Sequence, residues 1–239
     1  MSKFLLALQY WQGDRDKAMQ LARLISDLEP RHSKDVDFMF VSRFDCAHDP
    51  ETIAYVGRKF NVHTHVNRGR RGVGWPHGCN ELWFGTMDHV YDLNVNRRVP
   101  AYKAILTFES DGYPLRPDWI PRLVEEWDST KGRVKVLGAM QTSPGRHING
   151  NAVFSGDVNF LHEIGRKIGG CAPHGGWDYF LAPKFQKMGW KDSPQMRSWW
   201  ACQTMDEPTY DNLLREGVVF FHGVKDDSVM RHVRARFLK

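Results

Sequence analysis

The first chemistry is acidic. The apolar run Ala104-Ile-Leu-Thr-Phe108 leads straight into Glu109-Ser110-Asp111-Gly112. Residues two apart on an extended chain point the same way, so Glu109 and Asp111 present two carboxylates on one side of a strand end. Two such charges repel. A hard divalent cation, Mn²⁺ or Mg²⁺, relieves that repulsion through the oxygen ligands it prefers. An acidic turn in which Asp111-Gly112 simply reverses the chain is the plainer alternative. Late in the chain, Val218-Val-Phe-Phe221 runs into His222-Gly-Val-Lys225-Asp226. A histidine at a strand exit can ligate a metal through its neutral imidazole, and Lys225 can neutralise phosphate oxygens. A capped turn with a solvent-facing His222 fits the same residues.

Two further segments carry polar groups suited to recognition. In His147-Ile-Asn149-Gly150-Asn151, paired amides flank a glycine where backbone can approach a ligand closely, a grouping able to read sugar hydroxyls. The competing reading is a turn with Asn149 and Gly150 at positive φ. In Gly175-Gly176-Trp177-Asp178, a carboxylate beside a large ring at a helix start can act as a general base toward a hydroxyl. An ordinary N-terminal helix carboxylate would look no different.

Positioning these residues requires elements, and hydrophobic periodicity supplies them. Residues 4–11 form a short apolar run consistent with a buried strand. Ala18, Leu21, Ala22, Ile25 and Leu28 then recur at helical steps over 14–29 until Pro30 stops them. Strands follow at 35–42 and 62–66, separated by a helix that Asp49-Pro50 opens and that runs to about residue 60. A helix near 79–93, the strand 102–108, a helix near 118–127 and a strand at 134–140 continue the alternation. The second half is looser, with a strand at 151–154, a helix over 176–188 interrupted at Pro183, and a strand at 218–221. Strand and helix in alternation predict an α/β fold with a mainly parallel sheet flanked by helices on both faces, and a single domain over 1–239.

The 239 residues, 41% of them hydrophobic, support a sizeable core and exclude disorder and mini-protein scaffolds. Lys and Arg number 33 against 28 Asp and Glu, a formal charge of +5 that suits an anionic ligand without demonstrating nucleic-acid binding. Cys46, Cys79, Cys171 and Cys202 lie far apart with no C-x-x-C pair. That spacing predicts neither a zinc knuckle nor a disulfide framework, and suits a reducing, cytoplasmic setting. The apolar run 4–8 after Lys3 is too short for the core of a secretory signal, and no stretch approaches a membrane span. Nine Trp are many, and a large core is the expected home for most of them. The tail, with Arg231, Arg234, Arg236 and Lys239, and the Arg97-Arg98 pair would attract polyanions. The tail equally reads as an amphipathic helix with Val229, Val233 and Phe237 turned inward.

Taken in order over about 4–226, the βαβ half, acid-x-acid, H-I-N-G-N, the W-D helix start and the late H-G-x-K-D resemble the glycosyltransferases of the GT-A fold. The resemblance implies a divalent metal, Mn²⁺ or Mg²⁺, and a nucleoside-diphosphate sugar, with a UDP-sugar as the expected donor. It implies Asp111 and His222 as metal ligands, Glu109 as a metal or ribose contact, Lys225 beside the diphosphate and Asp178 as base in an inverting reaction. The family's usual motif has Asp at both acid positions, so Glu109 is a departure. On the donor side stand Gln9, Tyr10, Trp11 and Ser110, with Arg70 and Arg71 reaching phosphates and Trp75 and Asn80 lining the sugar pocket. The Gly72-Val-Gly74 pattern lacks the third glycine of a dinucleotide fingerprint. On the acceptor side stand His147, Asn149, Asn151 and Trp177. Residues 1–115 would be the nucleotide-sugar half and 116–239 the acceptor half. The layout is also similar to that of small phage-encoded glycosyltransferases, some of which decorate hydroxymethylated pyrimidines, which implies DNA as acceptor. A saccharide or other small acceptor is the alternative. A non-catalytic nucleic-acid-binding protein using basic patches and Trp stacking also fits the composition. A nucleotidyltransferase does not, because 9–14 lacks the glycine-rich cationic loop a triphosphate needs.

Overall fold

The computed structural model describes residues 3–69, 74–96, 101–166, 175–200 and 202–238. Its elements are β1 (Lys3–Tyr10), α1 (Arg15–Leu28), β2 (Val36–Arg43), α2 (Pro50–Val56), β3 (Asn61–Asn67), α3 (His77–Val95), β4 (Tyr102–Glu109), β5 (Gly112–Pro114) and α4 (Trp119–Ser129). There follow β6 (Val136–Gln141), β7 (His147–Ser155), α5 (Val158–Leu161), α6 (Trp177–Met188), β8 (Trp190–Asp192), β9 (Met196–Ser198), α7 (Glu207–Arg215), β10 (Phe220–His222) and α8 (Ser228–Phe237).

A seven-stranded sheet runs in the order β3-β2-β1-β4-β7-β6-β8. Its first four strands are parallel, β7 lies antiparallel to both β4 and β6, and β8 returns parallel to β6. The alternation of β1 shows how the sheet is covered. Phe4, Leu6, Leu8 and Tyr10 enter one hydrophobic cluster with α1, α4, α7 and α8, while Leu5 and Ala7 enter the other with α3, α5 and α6. Burial on both faces explains why the first strands read as continuous apolar runs rather than alternating ones. Asp49 caps α2, accepting from Thr52 N at 3.2 Å, with Pro50 at its first position.

A three-stranded sheet, β5-β10-β9, sits beyond the end of β4. In it β10 is antiparallel to β5, with His222 opposite Gly112, and parallel to β9, with His222 opposite Ser198.

Several expectations need correction. The H-I-N-G-N segment is the start of strand β7 rather than a turn, and neither Asn149 nor Gly150 has positive φ. The second helix stops at Val56 instead of continuing to about 60, because the chain turns at Gly57. Pro183 lies inside α6 without ending it. Strands β5, β8 and β9 and helix α5 went unforeseen, because three or four residues carry too little periodicity to read, and the nine-residue helix α7 was also missed. The basic tail forms α8 with Val229 and Val233 buried and Phe237 packed at the edge, while Arg231 pairs with Asp227 at 3.1 Å and Arg236 with Asp211 at 2.7 Å. Arg97, Arg98 and Lys239 lie outside the described residues. Trp83, Trp119 and Trp127 are buried as expected and Trp177, expected on the acceptor side, is buried with them, whereas Trp11, Trp75, Trp199 and Trp200 are exposed. Among the described residues no helix is long and apolar enough to cross a membrane.

Candidate active site

The carboxyl ends of parallel strands are where open α/β sheets bind ligands, and β4 ends there in Glu109. The turn that follows is held from two sides. Ser110 Oγ donates to Asp14 Oδ2 at 2.9 Å, and Glu109 N donates to Asn151 Oδ1 at 2.8 Å. Asn149 Oδ1 in turn accepts from Asn151 N at 3.0 Å and Asn151 Nδ2 at 3.3 Å. Gly112 permits the close packing. A Cβ there would lie 2.8 Å from Asn151 Oδ1 and 2.9 Å from Phe220 Cζ.

Pairing of β5 with β10 then delivers the histidine. Gly223 N donates to Asp111 O at 3.1 Å, and His222 Nε2 stands 3.3 Å from Asp111 Oδ1. Ser198 Oγ lies 3.0 Å from His222 Nδ1 and holds the ring with Nε2 toward the carboxylate. Lys225 Nζ reaches Asp111 Oδ2 at 2.5 Å. One donor atom each from Glu109, Asp111 and His222 lies within 4.8 Å of the others.

The electrostatics follow from enclosure and proximity. Burial, then repulsion by Asp111, pushes the Glu109 carboxyl up to about 7. Burial works against ionising Asp111, but His222 and Lys225 outweigh it and hold the carboxyl far below the usual range. Burial also opposes protonation of His222, and the Asp111 carboxylate overcomes it to raise the imidazole. Two carboxylates and an imidazole converging in this way are a donor set for a hard or borderline divalent cation. The residues present fit such an ion.

A cleft of about 700 Å³ opens beside this cluster. Gln9, Trp75, Asn80, Glu109, His147, Asn149, Asn151, Trp177, Asp178, His222 and Lys225 all line it. Asp178, at the start of α6, accepts from Gly150 N at 3.2 Å through Oδ2 and from Tyr179 N at 2.9 Å through Oδ1. His147 Nε2 stands 3.9 Å away, with its Nδ1 2.7 Å from Gly145 O.

Other expected residues are placed differently. Tyr10 is buried on the opposite face of β1 from Gln9, with its hydroxyl 2.6 Å from His48 Nδ1, because neighbouring side chains on a strand alternate. Trp11 is exposed but does not line the cleft, and neither does Ser110, whose hydroxyl serves Asp14. Gln9 is engaged with Thr86 Oγ1 at 2.7 Å. Asn80 is a strut, donating to Gly175 O at 3.1 Å and accepting from Trp177 N at 2.9 Å. Trp177 stacks on Trp83 with centroids 3.6 Å apart and is buried in the core, which removes it as an open sugar platform. Arg70 and Arg71 lie outside the described residues.

Some cleft residues went unread in the sequence. Cys79 faces Glu109, and burial followed by that carboxylate's charge pushes its thiol up. Tyr179 and Trp200 also line the cleft. The Trp199-Trp200 pair was the legible signal, since two large rings stand together in a stretch without apolar periodicity.

A parallel sheet with antiparallel β7 beside β4, and an acid-x-acid turn facing a small second sheet, define the GT-A fold of glycosyltransferases. Solved structures agree. The chain is similar to the glycosyltransferase GlyE of Streptococcus pneumoniae TIGR4, at a TM-score of 0.58 and 12% identity over 95% of this chain and 56% of that one. It is similar to a glycosyltransferase involved in the glycosylation of the major capsid of PBCV-1, with TM-score 0.55 and 10% identity, covering 99% of this chain and 100% of that one. A third is the mannosyltransferase PcManGT from Pyrobaculum calidifontis in complex with GDP-Man and Mn²⁺, with TM-score 0.53 and 11% identity over 80% and 53% of the two chains. The chain thus spans about half the length of the first and third and the whole of the second. The sequence matches no protein-family model and no curated protein.

Proposed function

We propose that this protein is a divalent-cation-dependent glycosyltransferase that moves a sugar from a nucleoside-diphosphate sugar to a hydroxyl acceptor. The observation that carries the reading is the meeting of Glu109, Asp111 and His222 beside a cleft on this fold. The GDP-Man and Mn²⁺ bound by the mannosyltransferase of similar fold support the ligand classes.

Glu109, Asp111 and His222 would hold the cation, which when bound supplies Lewis-acid stabilisation of charge on the leaving diphosphate. Lys225, held by Asp111 in the free protein, adds a positive charge that can turn to phosphate oxygens. Asp178 accepts the proton of the acceptor hydroxyl as that oxygen bonds to the anomeric carbon and the bond from that carbon to the phosphate oxygen breaks. Its two backbone amide donors orient the carboxylate for this. A single displacement of this kind inverts the anomeric configuration.

Calorimetric titration with UDP and with GDP, each with and without Mn²⁺, tests the reading. A glycosyltransferase of this type binds one of them far more tightly with the cation, whereas nucleotide affinity indifferent to Mn²⁺ would refute it. A mass-spectrometric screen of UDP- and GDP-sugars against hydroxymethylated DNA and small acceptors then identifies donor and acceptor.

A further inference from the structure

We propose that the acceptor is an uncharged saccharide and that Trp200, Tyr179 and Trp75 form the platform on which it stacks. The proposal rests on the glycosyltransferase reading and deepens it. These three rings are 66%, 46% and 75% exposed, and all line the one cleft that holds Glu109, Asp178 and His222. Large rings left open to water forgo a substantial burial gain. Their convergence on a single concavity points to a ligand that covers them.

Two of the rings are tied to the reacting groups. Tyr179 follows Asp178 and donates its backbone N–H to that carboxylate at 2.9 Å. Its ring meets His147 edge-on at 5.8 Å, and a Cβ on Gly145 would lie 2.9 Å from its Cε2, so the ring is backed by protein. Trp200 follows Trp199, whose N–H donates to His222 O at 2.8 Å. Gly223 has φ of 122°, and a Cβ there would lie 2.4 Å from Trp199 O. The Trp200 indole therefore follows β9, which the Trp199–His222 bond ties to the strand carrying the imidazole.

Charge selects the kind of acceptor. A nucleic acid needs a cationic groove along its backbone, with stacking added to it. Among the described lining residues Lys225 is the one Lys or Arg, and it is paired with Asp111, while Asp178 brings negative charge outside the cation triad. The arginines of α8 do not line the cleft. A pyranose offers what this surface accepts, a C–H face for the rings and hydroxyls for Gln141, Ser143 and Asn149.

The test pairs donor hydrolysis with acceptor kinetics. The wild-type protein with Mn²⁺ is first assayed for hydrolysis of UDP-glucose, UDP-galactose and GDP-mannose. The productive donor is then offered to methyl glucosides, galactosides and mannosides, to lactose, and to a duplex containing 5-hydroxymethylcytosine. Transfer to a neutral glycoside and none to the duplex is expected. Trp200→Ala and Tyr179→Ala should each raise the acceptor KM about tenfold with a far smaller effect on the donor KM, while Tyr179→Phe retains wild-type acceptor KM. Transfer to the duplex alone, or acceptor KM values untouched in both alanine variants, overturns the acceptor assignment and leaves the glycosyltransferase reading standing. If none of the three donors is hydrolysed and neither UDP nor GDP shows Mn²⁺-dependent binding, both fall together. Circular dichroism of each variant separates a lost platform from a lost fold.

Discussion

Asp111 is surrounded by groups that act on its charge. A carboxylate buried this far would ordinarily be neutral, but His222 Nε2 at 3.3 Å and Lys225 Nζ at 2.5 Å keep it ionised. It is therefore ready to ligate a cation without first losing a proton. Asp111→Asn keeps the shape and removes the charge, and it should lower Mn²⁺ affinity at least hundredfold when measured by electron paramagnetic resonance; near-normal Mn²⁺ binding by this variant would sink the ligand assignment. Asp178 has another task. It stands by the cleft on two backbone donors, outside the triad, so Asp178→Asn should cut turnover by about 10²–10⁴ while Mn²⁺-dependent nucleotide affinity persists. Loss of nucleotide binding instead would make Asp178 a donor contact. The departure from two Asp to Glu109 and Asp111 matters at this scale too, because the longer side chain still brings an oxygen within 4.8 Å of its partners.

Elements set where these residues stand. Strand β10 is three residues long, yet its register places His222 opposite both Gly112 and Ser198. Gly223 closes that strand in a backbone conformation L-residues rarely adopt, against the Trp199 carbonyl. Gly223→Ala should cost about 1–3 kcal/mol in urea unfolding and weaken Mn²⁺ binding even though every ligand remains. Unaltered cation affinity would show that β10 does not position the site. At the opposite end of the large sheet, Asp37 on β2 ties four strands together. It accepts from Lys3 Nζ at 2.7 Å, Asn61 Nδ2 at 3.1 Å and Tyr102 Oη at 3.0 Å, and His63 Nε2 lies 3.3 Å away. Burial opposes ionisation of Asp37, but these partners outweigh it and bring the carboxyl down to about 2. An unfolded Asp titrates near ~3.9, so the stabilisation is complete above about pH 4. It declines as pH falls toward about 2, because the unfolded state takes up the proton first. Asp37→Asn should lose about 2 kcal/mol at neutral pH and show a shallower loss of stability than wild type between those pH values; parallel acid-stability curves for the two proteins would contradict this.

At the scale of the molecule, the candidate site joins segments that only the fold brings together: the end of β4, the start of β7, the start of α6 and the exit of β10. A ligand gripping all of them favours the folded chain by mass action. At a hundredfold excess over Kd, UDP or GDP with Mn²⁺ should stabilise it by about 2.7 kcal/mol. That corresponds to a rise in Tm of about 5–10 °C for a chain of this size, seen by differential scanning fluorimetry and absent in Asp111→Asn. A Tm indifferent to the nucleotide–Mn²⁺ pair would mean that the cleft is not its site. Much of this arrangement was written locally in the chain. The strand–helix rhythm of β1 to β4, the same-side carboxylates at 109 and 111, and the inward face of α8 each depend on a periodicity complete within about ten residues. Tertiary structure alone decided the rest. Whether His222 meets Asp111 depends on the pairing of β5 with β10, and neither strand is long enough to announce a partner. Which aromatic rings are open was equally hidden: Tyr10 and Trp177 looked as available as Trp75, until packing on α1 and α3 buried the first two and left Trp75, with the unforeseen Trp200, facing the cleft. Side-chain type and spacing are properties of a short segment, whereas contact across the chain and exposure to water are properties of how distant segments pack.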